Sequence, residues 1–177
     1  MSETPPRQHW DAVYLSRSER ELSWYQDEPG RSLELIESAG ISRDAAIIDV
    51  GGGASTLVDL LLERDFTNIT VLDISPAALK KSQGRLGQHA GRAHWVVSNI
   101  CHFSLGHRYT LWHDRALFHF MTNDSRRRRY IDTLRKSLEP GGQAIISTFA
   151  VGGPSRCSGL DTLQFDSKNL LEEFGKG

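Results

Sequence analysis

Ala45-Ala46-Ile47-Ile48-Asp49-Val50-Gly51-Gly52-Gly53, followed by Ala54-Ser55-Thr56-Leu57-Val58, is the stretch that decides the fold. An apolar run ends in an acid, passes through three glycines and enters a helical pattern. That order spells buried strand, tight turn, helix. Glycine lets the backbone approach a ligand that a side chain would hold off. A second apolar run, Ile69-Thr70-Val71-Leu72, ends in Asp73, 24 residues after Asp49. An acid at the tip of the next strand suits a ribose diol. The two features together describe a nucleoside pocket at the carboxyl edge of a parallel sheet.

Outward from that stretch, strands and helices alternate. The pattern predicts a short helix over 10–16 and a loop at Ser23-Trp24-Tyr25-Gln26. It predicts a helix from a Ser32 cap to Ala39, stopped by Gly40. Strands follow at 45–49, 69–73, 94–97, 109–113 and 142–149. Helices follow at 55–64, 76–87, 124–138 and 167–174. Ser75 with Pro76 reads as a capped first turn, and Asp124 or Ser125 as the cap of the long helix. Residues 100–108 look too short and polar for a full crossover helix. Apolar strands separated by helices imply an α/β fold: a doubly wound, mostly parallel sheet with helices on both faces. Residues 1–9 are expected to be disordered.

The chain has 177 residues, which points to one domain; residues 1–29 read as an amino-terminal extension or lid and 30–177 as the ligand-binding domain. Hydrophobic content is 38%, enough for a core, but no apolar run approaches the roughly 20 residues of a membrane span. No apolar leader segment is expected, so the expected location is cytoplasmic. With 21 basic and 22 acidic residues the net charge is -1, which gives no general field for nucleic acid. Cys101 and Cys157 lack disulfide-framework or metal spacing and read as reduced thiols. No metal is expected. Arg126-Arg127-Arg128-Arg129 would point all round a helix and reads as a solvated helix start.

Five segments, in order, resemble the class I S-adenosylmethionine-dependent methyltransferases. They are Asp49-x-Gly51-x-Gly53, Asp73, Asn99-Ile100, Leu111-Trp112-His113-Asp114 and Leu138-Glu139-Pro140-Gly141-Gly142, covering about residues 30–150. Trp10-Asp11, Ser23-Trp24-Tyr25-Gln26 and Gly153-Pro154-Ser155-Arg156-Cys157-Ser158-Gly159-Leu160 are similar to a narrower group, relatives of protein-lysine methyltransferases that include the citrate synthase enzyme. The resemblance implies a Rossmann-like fold and S-adenosyl-L-methionine as cofactor, with S-adenosyl-L-homocysteine as product. It implies methyl transfer to a nucleophile, with nitrogen and a protein lysine first and a small-molecule acceptor next.

The resemblance also assigns roles. Asp49 would meet the methionine ammonium, and Gly51, Gly52 and Gly53 would pass under the sugar and amino-acid portions. Ser55 stands where the family often has a third glycine; it could cap the helix or reach the methionine. Asp73 would accept both ribose hydroxyls and Ile74 would lie on one face of adenine. Asn99 and the Ile100 backbone N–H would read the adenine edge. Asn99 replaces the usual aspartate, but its carbonyl can accept the same hydrogen bond. Tyr25 is the candidate for the cofactor carboxylate, and Trp24 with Tyr25 could form a lid. His113 or Asp114 could accept a proton; alternatively Asp114 pairs with Arg115 and orients the loop while His119 packs. The fold usually adds two strands after the fifth. Their apparent loss implies a truncated form or a homodimer through the open sheet edge.

Other readings stay open at this point. The glycine turn could be structural. The fold could be a non-catalytic S-adenosylmethionine-binding module acting through a protein partner. A nicotinamide-binding oxidoreductase shares the glycine turn and the acid. That fingerprint, however, wants glycine or alanine where Thr56 stands.

Overall fold

A computed structural model describes residues 6–104 and 106–175. The expected disorder of residues 1–5 lies outside that range. Residues 6–9, also expected to be disordered, instead open helix α1 (Pro6–Ser16). Trp10 and Tyr14 pack with Trp24 in an aromatic group that holds this helix in place.

The remaining elements are α2 (Gly30–Ser38), β1 (Ile47–Val50), α3 (Leu57–Glu63), β2 (Ile69–Asp73), α4 (Pro76–Leu86), β3 (Ala93–Val97), β4 (Tyr109–Arg115), α5 (Asp124–Ser137), β5 (Leu138–Ser147), β6 (Arg156–Cys157), β7 (Leu160–Asp161) and α6 (Ser167–Gly175). The main sheet runs β3-β2-β1-β4-β5 and every pairing in it is parallel. A 3-10 turn at Ile100–His102 replaces a crossover helix between β3 and β4.

Strand alternation divides the core. Ile47, Ile69 and Leu111 pack with Leu33, Ile36, Leu57 and Leu61 on the α2–α3 face. Ile48, Leu72 and Trp112 pack with Tyr130 and Leu134 on the α5 face. Such strands have no solvent side, which explains their unbroken apolar runs. Ile47 and Ile48 are both fully buried; each burial stabilises the fold by about 1.5–3 kcal/mol.

Several local readings need correction. Pro29, not Ser32, precedes the first residue of α2, and Ser32 lies inside the helix. The Ser32 hydroxyl is turned to His113 instead of capping. Asn123 caps α5 by accepting from the Ser125 N–H, one residue earlier than expected. β5 starts at Leu138, because Leu138 pairs with Tyr109 ahead of a register shift. After β5 the main sheet gains no further strand among the described residues. The segment forms the small β6–β7 hairpin, with Ser158 and Gly159 both at positive φ in its turn. Positive φ at both central residues matches the right-handed twist of a two-residue hairpin. Among the described residues no helix is long and apolar enough to cross a membrane.

Candidate active site

The carboxyl ends of β1, β2 and β4 meet beneath α1, and the glycine turn sits at their centre. Gly51 and Gly53 have φ of 71° and 47°. A Cβ on Gly52 would lie 2.5 Å from Asp49 Oδ2, and one on Gly53 would lie 2.8 Å from the Tyr14 hydroxyl. The turn therefore packs too tightly against polar groups to carry side chains. It forms a cradle of backbone beside two carboxylates, and this suits a polar ligand laid across it.

Asp49 is 3% exposed at the open end of β1. Its Oδ1 is 2.7 Å from His113 Nδ1, and His113 Nε2 is 2.9 Å from the Ser32 hydroxyl. Asp49 and His113 are cross-strand partners in the β1–β4 pairing, so their side chains leave the sheet side by side. Thr56, not Ser55, is the N-cap of α3 and makes no side-chain cap bond; the Ser55 hydroxyl, one residue earlier, accepts from the Leu57 N–H at 3.2 Å. The Ser55 carbonyl accepts from Arg85, whose guanidinium also meets Asp59 and Glu19.

Asp73 ends β2, buried, with Oδ1 accepting from the Ser75 N–H at 2.8 Å. Burial pushes its pKa up to about 7, with the Asp49 and Asp11 charges adding to the rise and the Ser75 and Ile74 backbone N–H groups opposing it. Hydroxyl donors placed against this carboxylate would replace lost hydration. Ile74 is half-buried beside it. Asn99 uses its side-chain carbonyl locally, accepting from the Cys101 N–H at 3.0 Å, and Ile100 is buried at the start of the 3-10 turn.

One cleft brings Tyr25, Asp49, Gly51, Gly52 and Ser55 together with His113 and Arg115. Asp73, Ile74, Asn99 and Ile100 do not line it. Tyr14 stands between the two groups: it lines the cleft and its hydroxyl sits over Gly53 beside Asp73. Sequence reasoning missed Tyr14 as a site residue. The signal was there, since Tyr14 lies on the same helical face as Trp10, four residues earlier. Tyr25 donates its hydroxyl to Asp27 at 3.0 Å. Asp11 anchors α1 by accepting from the Ser75 hydroxyl at 2.6 Å, at the start of α4.

Asp114 takes no part in the cleft. It is fully buried on the α5 face, where Oδ1 accepts from the Leu117 N–H at 2.8 Å and Oδ2 from the Tyr130 hydroxyl. Tyr130 in turn accepts from the Trp112 indole at 2.9 Å. Burial raises the Asp114 pKa to about 6, with the Tyr130 and Leu117 hydrogen bonds working against it. The proposed Asp114–Arg115 pair does not form; successive strand residues point to opposite faces, and Arg115 donates to the Trp24 carbonyl at 3.1 Å. His119 is buried and stacked on Phe149 at 4.5 Å, as a packed residue would be. Both thiols are free. Among the described residues, no three His, Cys, Asp or Glu side chains are grouped to hold a metal.

Residues 48–144, more than half the chain, match the methyltransferase domain family. The chain belongs to that family. Within it, this methyltransferase is of the class I, S-adenosylmethionine-dependent kind, and S-adenosyl-L-methionine is its cofactor. It is 25% identical to human EEF1A lysine methyltransferase 2 over 97% of this chain and 73% of the relative. It is 35% identical to the mouse protein of that name, over 43% of this chain and 34% of the relative. Its fold resembles a chain solved in work on conversion of a disulfide bond into a thioacetal group during echinomycin biosynthesis. That likeness has a TM-score of 0.79 at 21% identity, over 97% of this chain and 78% of the other. The glycopeptide N-methyltransferase MtfA, solved with S-adenosylmethionine, superposes with a TM-score of 0.69 at 16% identity, over 90% and 86% of the two chains. The cradle, the paired acids and the open edge of the sheet fit the cofactor this family uses.

Proposed function

We propose that this methyltransferase moves a methyl group from S-adenosylmethionine to an amine nitrogen, with a protein lysine as the acceptor. The observation that carries the proposal is the cradle between Asp49 and Asp73, in a chain related along nearly its whole length to a lysine methyltransferase. Asp73 and the glycine turn would hold the ribose, and Ile74, Asn99 and Ile100 the adenine. Asp49 would meet the methionine ammonium. Tyr25, with Tyr14 and Arg115 beside the same cleft, would face the methionine carboxylate. The cofactor supplies an electrophilic methyl on a sulfonium.

The chain supplies alignment and exclusion of water. This reading assigns no side chain as base. Both Asp114 oxygens are engaged in a sealed network, and both His113 nitrogens have partners. The amino-terminal extension through residue 29 would act as the cover of the site, and pairing of β5 with a second copy would close the sheet edge. Two free thiols suit a reducing cytoplasm.

Transfer of labelled methyl into a cell lysate, before and after protease treatment, tests the acceptor. Label that enters protein and is lost on protease treatment is the expected result. Label in small molecules would replace lysine by a metabolite amine. Tight S-adenosylhomocysteine binding without any transfer would leave a binding module.

A further inference from the structure

Ser32, His113 and Asp49 form a line of three polar side chains from three elements, with contacts of 2.9 and 2.7 Å. Their exposures are 4%, 1% and 3%. The sequence places Asp49 and His113 at matching positions of β1 and β4, and α2 crosses the same face to deliver Ser32. Neighbouring positions on that face are filled by Ile47, Leu111, Leu33 and Ile36. A polar trio there is a poor way to stabilise an apolar face, because a packed hydrophobic trio would do as well or better. The order of residues is that of a hydrolase triad. No nucleophile is on offer, however, since the Ser32 hydroxyl is sealed inside the α2 packing and spent on His113.

The useful end of the line is Asp49. Its Oδ1 is fixed by His113, while Oδ2 lies against Gly52, close enough that a Cβ there would collide at 2.5 Å. An ionised carboxylate only accepts, so the proton of the His113–Asp49 contact sits on Nδ1. In the neutral imidazole Nε2 then accepts from the Ser32 hydroxyl. The carboxylate thus sets the histidine tautomer, the serine holds the ring in place, and the ring in turn fixes the carboxylate.

We propose that Ser32 and His113 are positioning residues. In this reading they hold the Asp49 carboxylate in the one orientation that meets the amino-acid end of the cofactor. The proposal rests on the placement of Asp49 against the methionine ammonium, as proposed above.

The test compares two ligands by calorimetry: S-adenosylhomocysteine, which carries the amino acid, and 5′-methylthioadenosine, which lacks it. Ser32→Ala and His113→Phe are expected to weaken S-adenosylhomocysteine about tenfold, the scale of one lost charge-assisted hydrogen bond. They should leave 5′-methylthioadenosine unchanged. His113→Asn, whose amide can replace the Nδ1 donor, is expected to recover most of the loss. Equal weakening of both ligands, or weakening of neither, overturns the proposal, and Ser32→Ala keeps the test open if His113→Phe fails to fold. Asp49→Asn separates the two layers. Unchanged S-adenosylhomocysteine binding by Asp49→Asn removes the ammonium contact itself. Loss by Asp49→Asn with none by Ser32→Ala or His113→Phe removes only the relay.

Discussion

His113 and Asp114 are consecutive in β4, yet they belong to different regions of the molecule. His113 faces α2 and the cleft, joined to Asp49. Asp114 faces α5 and is enclosed by Tyr130, Trp112 and the Leu117 N–H. Both are buried and both have hydrogen-bond partners, so burial does not distinguish them. What distinguishes them is where the network ends. The first runs from the core to the glycine turn at the open edge. The second closes on itself and holds the turn at Ala116–Leu117 that follows β4. One strand therefore supplies a site on one face and a brace on the other.

The largest expected effect falls on the brace. Asp114→Ala strands the Tyr130 hydroxyl and the Leu117 N–H in the core, and should lower unfolding free energy by about 3 kcal/mol in urea denaturation. S-adenosylhomocysteine affinity of the folded fraction should hold. A stable Asp114→Ala protein that binds but cannot transfer methyl would move Asp114 from brace to catalyst and erase the contrast.

On the cleft side, Asp73→Ala should weaken S-adenosylhomocysteine binding by about 1.5–3 kcal/mol in calorimetry, the range for hydrogen bonds to a charged group. Unchanged affinity would remove Asp73 from the ribose.

A smaller effect comes from the titration of Asp73, whose pKa stands near 7. The ionised form accepts the diol best, so affinity should rise about tenfold, or about 1.4 kcal/mol, between pH 6 and 8. For the free protein the sign is opposite. A carboxyl with a raised folded pKa contributes stability below its unfolded pKa, and that stability is lost as pH climbs from about 4 to 7. Asp73→Asn should flatten both profiles; a slope that survives the substitution belongs to another group.

The smallest effect belongs to Tyr25. Its hydroxyl partner, Asp27, has a side chain 70% exposed, so Tyr25→Phe should change unfolding free energy by less than about 0.5 kcal/mol. Any larger loss in S-adenosylhomocysteine binding would then report on the cleft alone.

The middle of the parallel sheet was legible because β1 and β2 are buried on both faces and so appear as apolar runs between turn signals. The glycine turn was legible for a related reason: close approach leaves no substitute for glycine. Tertiary partners were not legible. Ser32 has the composition of a cap, and only the crossing of α2 over β4 turns it toward His113. Asn123 took the cap expected of its neighbours, since Asx side chains reach two residues ahead as easily as one. The split between His113 and Asp114 follows from the two-residue period of a strand. Period alone does not say which face leads to a cleft. Tyr14 went unassigned because its role depends on α1 folding back over α4 through Asp11 and Ser75.

A crystal structure of the chain with S-adenosylhomocysteine tests the account most directly. The ribose diol should lie within hydrogen-bond distance of Asp73, with the adenosine across the glycine turn and the amino group at Asp49. A ligand seated elsewhere, or a turn still sealed by Tyr14 in crystals that hold the ligand, would contradict it.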